Sequence, residues 1–178
     1  LKLEKKTHAI ISFAPNTPLP LWSSAEACQE TVREFLPDAD LVKLSDEECF
    51  FVTGKHSILD AADWLFEQGC KMVLYSMGKE GAMILTPHFS SHVENPEVRV
   101  KDTTGAGDAI IGAYLYCLAK NHITVSQLAD CLPEQVQEWL TFAVYYANYS
   151  ITKSGAIASY PDYTTFVKWM QEKRKKAH

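Results

Sequence analysis

Asp102-Thr103-Thr104-Gly105-Ala106-Gly107-Asp108 leads directly into an apolar run that continues to about Ala119, and this junction decides how the chain is read. Two glycines at the entrance of a helix let three successive backbone N–H groups face an anion with no Cβ in the way. The helix dipole adds partial positive charge at the same point, which favours negative charge building on a transferring phosphoryl group. Asp108, in the first turn beyond that cradle, stands where a carboxylate accepts the proton of an alcohol attacking the same phosphorus. Read alone, the same Asp is also an ordinary acid stabilising a helix N-terminus, and both readings stay open at this point. The segment lacks the Lys and Ser or Thr that a Walker loop places after its second glycine, and it lacks the Gly-x-Gly-x-x-Gly of a dinucleotide fingerprint.

Upstream of this junction the chain alternates between strand and helix patterns. His8 to Phe13 reads as a short buried strand, stopped by Pro15 and Pro18, which cannot continue a ladder. Ser23-Ser24 caps a helix predicted from Ala25 to Phe35, with Ala27, Cys28, Val32 and Phe35 as its apolar stripe. Asp40 to Leu44 is a second strand that passes straight into a capping box, Ser45-Asp46-Glu47-Glu48. Ile58 to Gln68 is helical in period, and Gly69 stands where a C-cap glycine belongs. Lys71 to Tyr75 and Ala82 to Thr86 are the third and fourth strands, joined by the turn Ser76-Met77-Gly78-Lys79-Glu80-Gly81. A less regular stretch with Pro87 and Pro96 follows. Downstream of the junction, Val125–Cys131, Glu134 to about Ile151 and Thr164–Lys175 are helical patterns. Strands alternating with helices early and helices dominating late define an α/β unit with a mostly parallel sheet.

Composition bounds the possibilities. The chain has 178 residues, 47% hydrophobic and 22% charged, which suits one globular unit with a single substantial core. No apolar run approaches the roughly 18 residues needed to cross a bilayer, so no membrane partner is expected. A formal charge of −5 argues against nucleic acid, whose electrostatic footprint is a basic surface. The cluster Lys173-Arg174-Lys175-Lys176 reads as cations closing a helix at the negative end of its dipole. Cys28, Cys49, Cys70, Cys117 and Cys131 are odd in number and contain no Cys-x-x-Cys pair, which fits a reducing cytoplasm better than a disulfide framework or a zinc site. His88 and His92 are four apart, but Pro87 and the serines between them indicate a loop with surface histidines. The chain opens on Leu1 without a signal-peptide pattern, and sequence upstream of it is expected to be missing.

Asp102-Thr-Thr-Gly-Ala-Gly-Asp108-Ala followed by Gly112-Ala113 resembles the C-terminal signature of the ribokinase-like, phosphofructokinase-B type carbohydrate kinases, nearest to the fructokinase branch. The resemblance extends from about His8 to about Trp169, yet it corresponds only to the C-terminal half of a typical member. It implies the C-terminal portion of a three-layer, Rossmann-like (ribokinase-like) fold, in which residues 1–178 form one nucleotide-binding and catalytic unit of a larger domain. It further implies an anion hole made by Gly105, Ala106 and Gly107, with Asp108 as general base. Asp102 and the Thr104 carbonyl would help hold a monovalent cation, potassium or sodium, with ligands from the later loop at Ser150, Lys153, Gly155 and Ser159. Ser76, Gly78 and Gly81 resemble the nucleotide-contacting turn, usually Thr-x-Gly-x-x-Gly. Lys43-Leu44-Ser45-Asp46-Glu47-Glu48 resembles the segment that carries Asn-x-x-Glu in most members and Lys-x-Ser-x-x-Glu in fructokinases. There Ser45 would face nucleotide, and Glu48 would act through water on magnesium or serve only as a capping acid.

Leu21-Trp22 after Ala14-Pro15-Asn16-Thr17-Pro18 is similar to fructokinases, although Ala14 and Pro18 stand where Asp and Arg are common. Val144 occupies a position where relatives often place Asn or His, so the adenine is expected to be held there by packing. The resemblance thus implies an ATP-dependent, cytoplasmic sugar kinase using ATP and magnesium and acting on a small sugar, fructose foremost. The alternatives are a nucleoside kinase of the same family and a nucleotide-binding regulatory protein without catalysis. A homodimer is the oligomer considered. Without the other half of its domain, the sheet would expose an edge and apolar surface, and the isolated unit is expected to be poorly soluble.

Overall fold

The computed structural model describes residues 9–176. Five strands form one sheet in the order β1 (Ser12–Phe13), β2 (Leu41–Ser45), β3 (Met72–Ser76), β4 (Ala82–Leu85) and β5 (Ser90–Val93). β1, β2 and β3 are parallel, β4 is antiparallel to β3, and β5 is antiparallel to β4. Four of the five strands therefore point the same way, and only β4 is reversed. Among the described residues six α-helices surround the sheet: α1 (Ala25–Phe35), α2 (Asp46–Thr53), α3 (Ile58–Glu67), α4 (Ala106–Lys120), α5 (Pro133–Ser150) and α6 (Tyr163–Lys176).

The alternation of side chains along the strands sorts the core into two layers. Leu41, Met72, Leu74, Ala82 and Ile84 pack on one face against Ile110, Tyr114, Leu140 and Val144 of α4 and α5. Val42, Leu44, Val73 and Leu85 pack on the other against Val32, Val52 and Leu65 of α1 to α3. This is the three-layer α/β arrangement expected from the sequence, and near-continuous apolar runs in β2 and β3 are what burial on both faces requires. α6 adds an outer layer, with Phe166 and Met170 buried beside Tyr149 of α5.

Local chemistry sets the element boundaries. Ser24 Oγ accepts from Ala27 N at 3.1 Å, and α1 spans Ala25–Phe35 as its periodicity predicts. Ser45 and Glu48 make both bonds of the capping box, so β2 turns into α2 with no intervening loop. All five cysteines are free and buried. The predicted strand at His8–Phe13 is observed only as Ser12–Phe13 among the described residues, and His8 lies outside them.

Two segments differ from expectation. Ser90–Val93 is a strand rather than irregular chain: Thr86 closes a tight turn by donating its N–H to Phe89 O at 2.9 Å, and Ala82 through Leu85 pair with Val93 through Ser90. Ser-Ser-His-Val carries too little hydrophobicity to announce a strand, but Ser91 and Val93 point inward while Ser90 and His92 face out. His92 is thus a strand residue, and both it and His88 are exposed. Val125–Asp130 is a 3-10 helix rather than an α-helix. Pro133 at the first turn of α5 holds Leu132 extended, which stops that segment from running on into the next helix.

Candidate active site

Asp102–Asp108, the segment expected to cradle phosphate, runs into the start of α4. Gly105 is the N-cap residue with φ +79°, a conformation that favours glycine, and no side chain caps this helix end. A Cβ at Gly105 would lie 2.8 Å from the Tyr160 hydroxyl and 2.9 Å from Ala156 Cβ. The Tyr160 hydroxyl instead donates to Gly105 O at 2.9 Å, and burial first, then the charge of Asp108, raises its pKa and keeps it a donor. Ala106 N is spent on Thr103 O, whereas the N–H groups of Gly107 and Asp108 have no partner among the described residues. The 15-residue helix thus presents two unpartnered donors at its positive end.

The cradle opens into a cleft of about 770 Å³ at the carboxyl ends of β2 and β3, where ligands of parallel α/β sheets bind. Thr103, Ala106 and Gly107 line it at one end; Ser45, Ser76, Gly78 and Gly81 contribute the turns after the strands; Pro96, Val98, Val144 and Ala147 form apolar walls. Asp108 is exposed, accepts no hydrogen bond among the described residues, and faces a smaller hollow on the other side of α4 with Gly112 and Tyr116. The carboxylate thus stands one residue beyond Gly107, on a face of α4 that is open to solvent.

The residues predicted as cation ligands gather behind the cradle rather than in the cleft. Asp102 accepts from Thr104 N and from Gly155 N, each at 2.9 Å, while Lys101 N and Asp102 N both donate to Ile151 O. Ser150 and Ser159 are 1% exposed and bond to Ala147 O and Ala156 O. The Lys153 ammonium lies 4.7 Å over the Tyr149 ring, which leaves only its backbone carbonyl to face an ion. Both Asp102 oxygens and both serine hydroxyls are thus engaged by backbone groups.

The Gly155 amide first, and Thr104 next, hold the Asp102 carboxyl at a pKa of about 2, below its ordinary 3.8. A lowered folded-state value means that this contribution to stability is complete above pH 3.8 and is lost as the pH falls through about 2. Acid titrations comparing the wild type with Asp102→Asn should show a constant stability gap above pH 3.8 that closes towards pH 2. A gap that closes near neutrality would contradict this arrangement.

Glu48 does not line the cleft. Its Oε2 accepts from Ser45 N at 2.8 Å and from the Lys43 ammonium at 3.3 Å, and the residue is 9% exposed. Nor is Asp46 free, since Tyr75 donates to it at 2.5 Å. Glu47, by contrast, lines the cleft and accepts no hydrogen bond among the described residues, so the cleft carries an open carboxylate at Glu47 and not at Glu48.

Lys43, Asn95 and Asn148 are cleft residues that sequence reading does not assign to the site. Asn95 donates to Gly78 O at 2.8 Å, and Asn148 donates to Asn95 Oδ1 at 2.7 Å and to Val144 O at 2.9 Å. Carbonyl oxygens only accept, so Gly78 and Val144 fix the orientation of both amides. Asn148 Oδ1 is left as an acceptor without a donor among the described residues, in a side chain that is 5% exposed and lines the cleft. A buried amide inside the apolar helix α5 is the signal that could have marked it.

The mostly parallel sheet between two helical layers defines a Rossmann-like α/β unit, and comparison with known proteins makes the assignment specific. The chain belongs to the pfkB family of carbohydrate kinases, whose pattern it matches over residues 2–163. It is 33% identical over 162 residues to fructokinase-2 of Solanum habrochaites, covering 90% of this chain and 48% of that protein. Against probable fructokinase-5 of Arabidopsis thaliana it is 34% identical over 176 residues, with 98% and 53% covered. A fructokinase double mutant from Vibrio cholerae O395, solved with fructose, ADP and potassium, superposes with a TM-score of 0.82 at 28% identity over 95% of this chain and 53% of that one. The chain thus spans about half the length of the relatives it matches.

Proposed function

We propose that residues 1–178 form a single nucleotide-binding and catalytic unit of an ATP-dependent carbohydrate kinase, with the O6 hydroxyl of fructose as acceptor. The observation that carries this reading is the pair of unpartnered N–H groups at Gly107 and Asp108, flanked by the open Asp108 carboxylate. Mg-ATP enters the cleft with its phosphates towards Gly105–Gly107 and its base among Pro96, Val98 and Val144. Asp108 takes the proton of the sugar hydroxyl as that oxygen forms its bond to the γ-phosphorus. The bond from phosphorus to the β,γ-bridging oxygen breaks, and its electron pair leaves on ADP. The cradle's amides hold the charge on the equatorial oxygens without having to reorient.

A potassium ion held by Asp102, the Thr104 carbonyl and the loop from Ser150 to Ser159 would add fixed positive charge behind the cradle. A Vibrio cholerae relative solved with fructose, ADP and potassium supports the class of sugar, nucleotide and monovalent ion in this reading. Its test is ADP formation from Mg-ATP by the full-length polypeptide with fructose, ribose, other hexoses and nucleosides. Fructose-dependent release supports the assignment, and release with nucleosides alone would replace it with a nucleoside kinase.

Asn148 Oδ1 suits a nucleobase that presents an amino group. Asn148→Leu should weaken ATP binding by roughly tenfold, the worth of one lost hydrogen bond in a buried site. Calorimetric titration measures this, and unchanged affinity would remove Asn148 from the base contacts.

A further inference from the structure

Lys43 brings a positive charge into the interior with more donors than the protein gives it acceptors. Alternation along β2 puts Lys43 on the same face as Leu41, towards α4, and the residue is 9% exposed. An ammonium has three N–H donors. Among the described residues this one has a single acceptor, Glu48 Oε2 at 3.3 Å, which is long for a contact between opposite charges. The same oxygen already takes the Ser45 amide at 2.8 Å.

The ammonium also lies against the cradle. A Cβ built on Gly107 would come within 3.3 Å of Lys43 Nζ and 3.8 Å of its Cε, so the ammonium sits directly against the second glycine of the segment. Lys43 lines the cleft together with Thr103, Ala106 and Gly107. Burial of a charge with unspent donors is unfavourable unless something else completes its coordination, and an oxyanion at the N-terminus of α4 would do so.

We infer that the Lys43 ammonium is a phosphate ligand of this cleft, binding the polyphosphate chain of the nucleoside triphosphate beside Gly107 while Glu48 holds it in position. This rests on the reading of the cleft as a nucleotide site. It gives the cradle a full positive charge from β2 in addition to the partial charges of α4, and it explains why a lysine occupies an otherwise apolar strand. Glu48 is thereby a positioning residue that acts through Lys43.

The test is equilibrium binding of ATP, AMP and adenosine to the full-length polypeptide and to Lys43→Met, Lys43→Arg and the double variant Lys43→Met/Glu48→Gln. The double variant leaves neither charge stranded, so it reports on the lysine even if Lys43→Met folds poorly. Loss of the charge should weaken ATP by on the order of 10- to 100-fold while adenosine affinity stays within error, and Lys43→Arg should recover part of the loss. Equal weakening of ATP and adenosine would mean a purely structural lysine, and unchanged ATP affinity in the double variant would also overturn the inference. Wild-type protein that binds no nucleotide would instead overturn the reading of the cleft itself.

Discussion

Replacing Asp108 by Asn should lower turnover on the order of 100- to 10,000-fold, the usual contribution of a positioned general base, while ATP affinity and fold persist. Asn keeps the shape of the side chain but cannot take a proton from the sugar hydroxyl. Structural loss is a weak rival explanation, because Asp108 is exposed and its carboxylate holds no hydrogen bond among the described residues. Its one structural contribution is charge at the N-terminus of α4, worth about 0.3–1 kcal/mol at a surface site. Turnover, ATP titration and thermal melting of the same preparation separate the two effects. A variant with wild-type turnover would show that Asp108 is only a helix-end acid.

Gly81→Ala should have the largest effect on stability. Gly81 has φ +98° and ψ −137°, a region open essentially to glycine alone, and a Cβ there would sit 2.0 Å from Val93 O and 2.9 Å from Val93 C. Both obstructing atoms are backbone, so no side chain can swing away. Relief requires the end of β5 to part from β4 where Ala82 pairs with Val93. The forbidden dihedrals and the overlap each cost about 1–3 kcal/mol, and together they should lower Tm by roughly 5–15 °C in a protein of this size. Gly54→Ala is the control: it too has positive φ, +73°, but nothing lies within 4 Å of the added Cβ, so it should cost only about 1 kcal/mol. Equal melting shifts in the two variants would contradict the steric argument. Because the turn at Gly78–Glu80 borders the cleft, Gly81→Ala should also weaken ATP binding.

What the sequence discloses about this unit is whatever is local. The helix at Ala25–Phe35 has its serine cap and apolar stripe within a dozen residues, and the Ser45–Glu48 capping box is a four-residue pattern; both form as read. Gly105 and Gly107 likewise declare a cradle because backbone freedom at a helix entrance is a local property. The strand at Ser90–Val93 escapes notice because its residues are polar and it is stabilised by pairing with β4, not by its own propensity. The arrangement of the cleft is harder still to read. Asn148 meets Asn95 across 53 residues of sequence, and Lys43 meets Gly107 only because β2 and α4 pack face to face. Glu48 illustrates the same limit: its capping role is legible, whereas its engagement by Lys43, and hence its withdrawal from the cleft, needs the folded chain.

Hydrogen exchange of the full-length polypeptide with and without saturating Mg-ATP tests the central claim most directly. Bound nucleotide should slow exchange at residues 104–109, where the orphan amides of Gly107 and Asp108 gain a phosphate acceptor, and at residues 76–81 and 144–151 around the base. Protection confined to other segments, with ATP demonstrably bound, would contradict the phosphate cradle and the mechanism built on it.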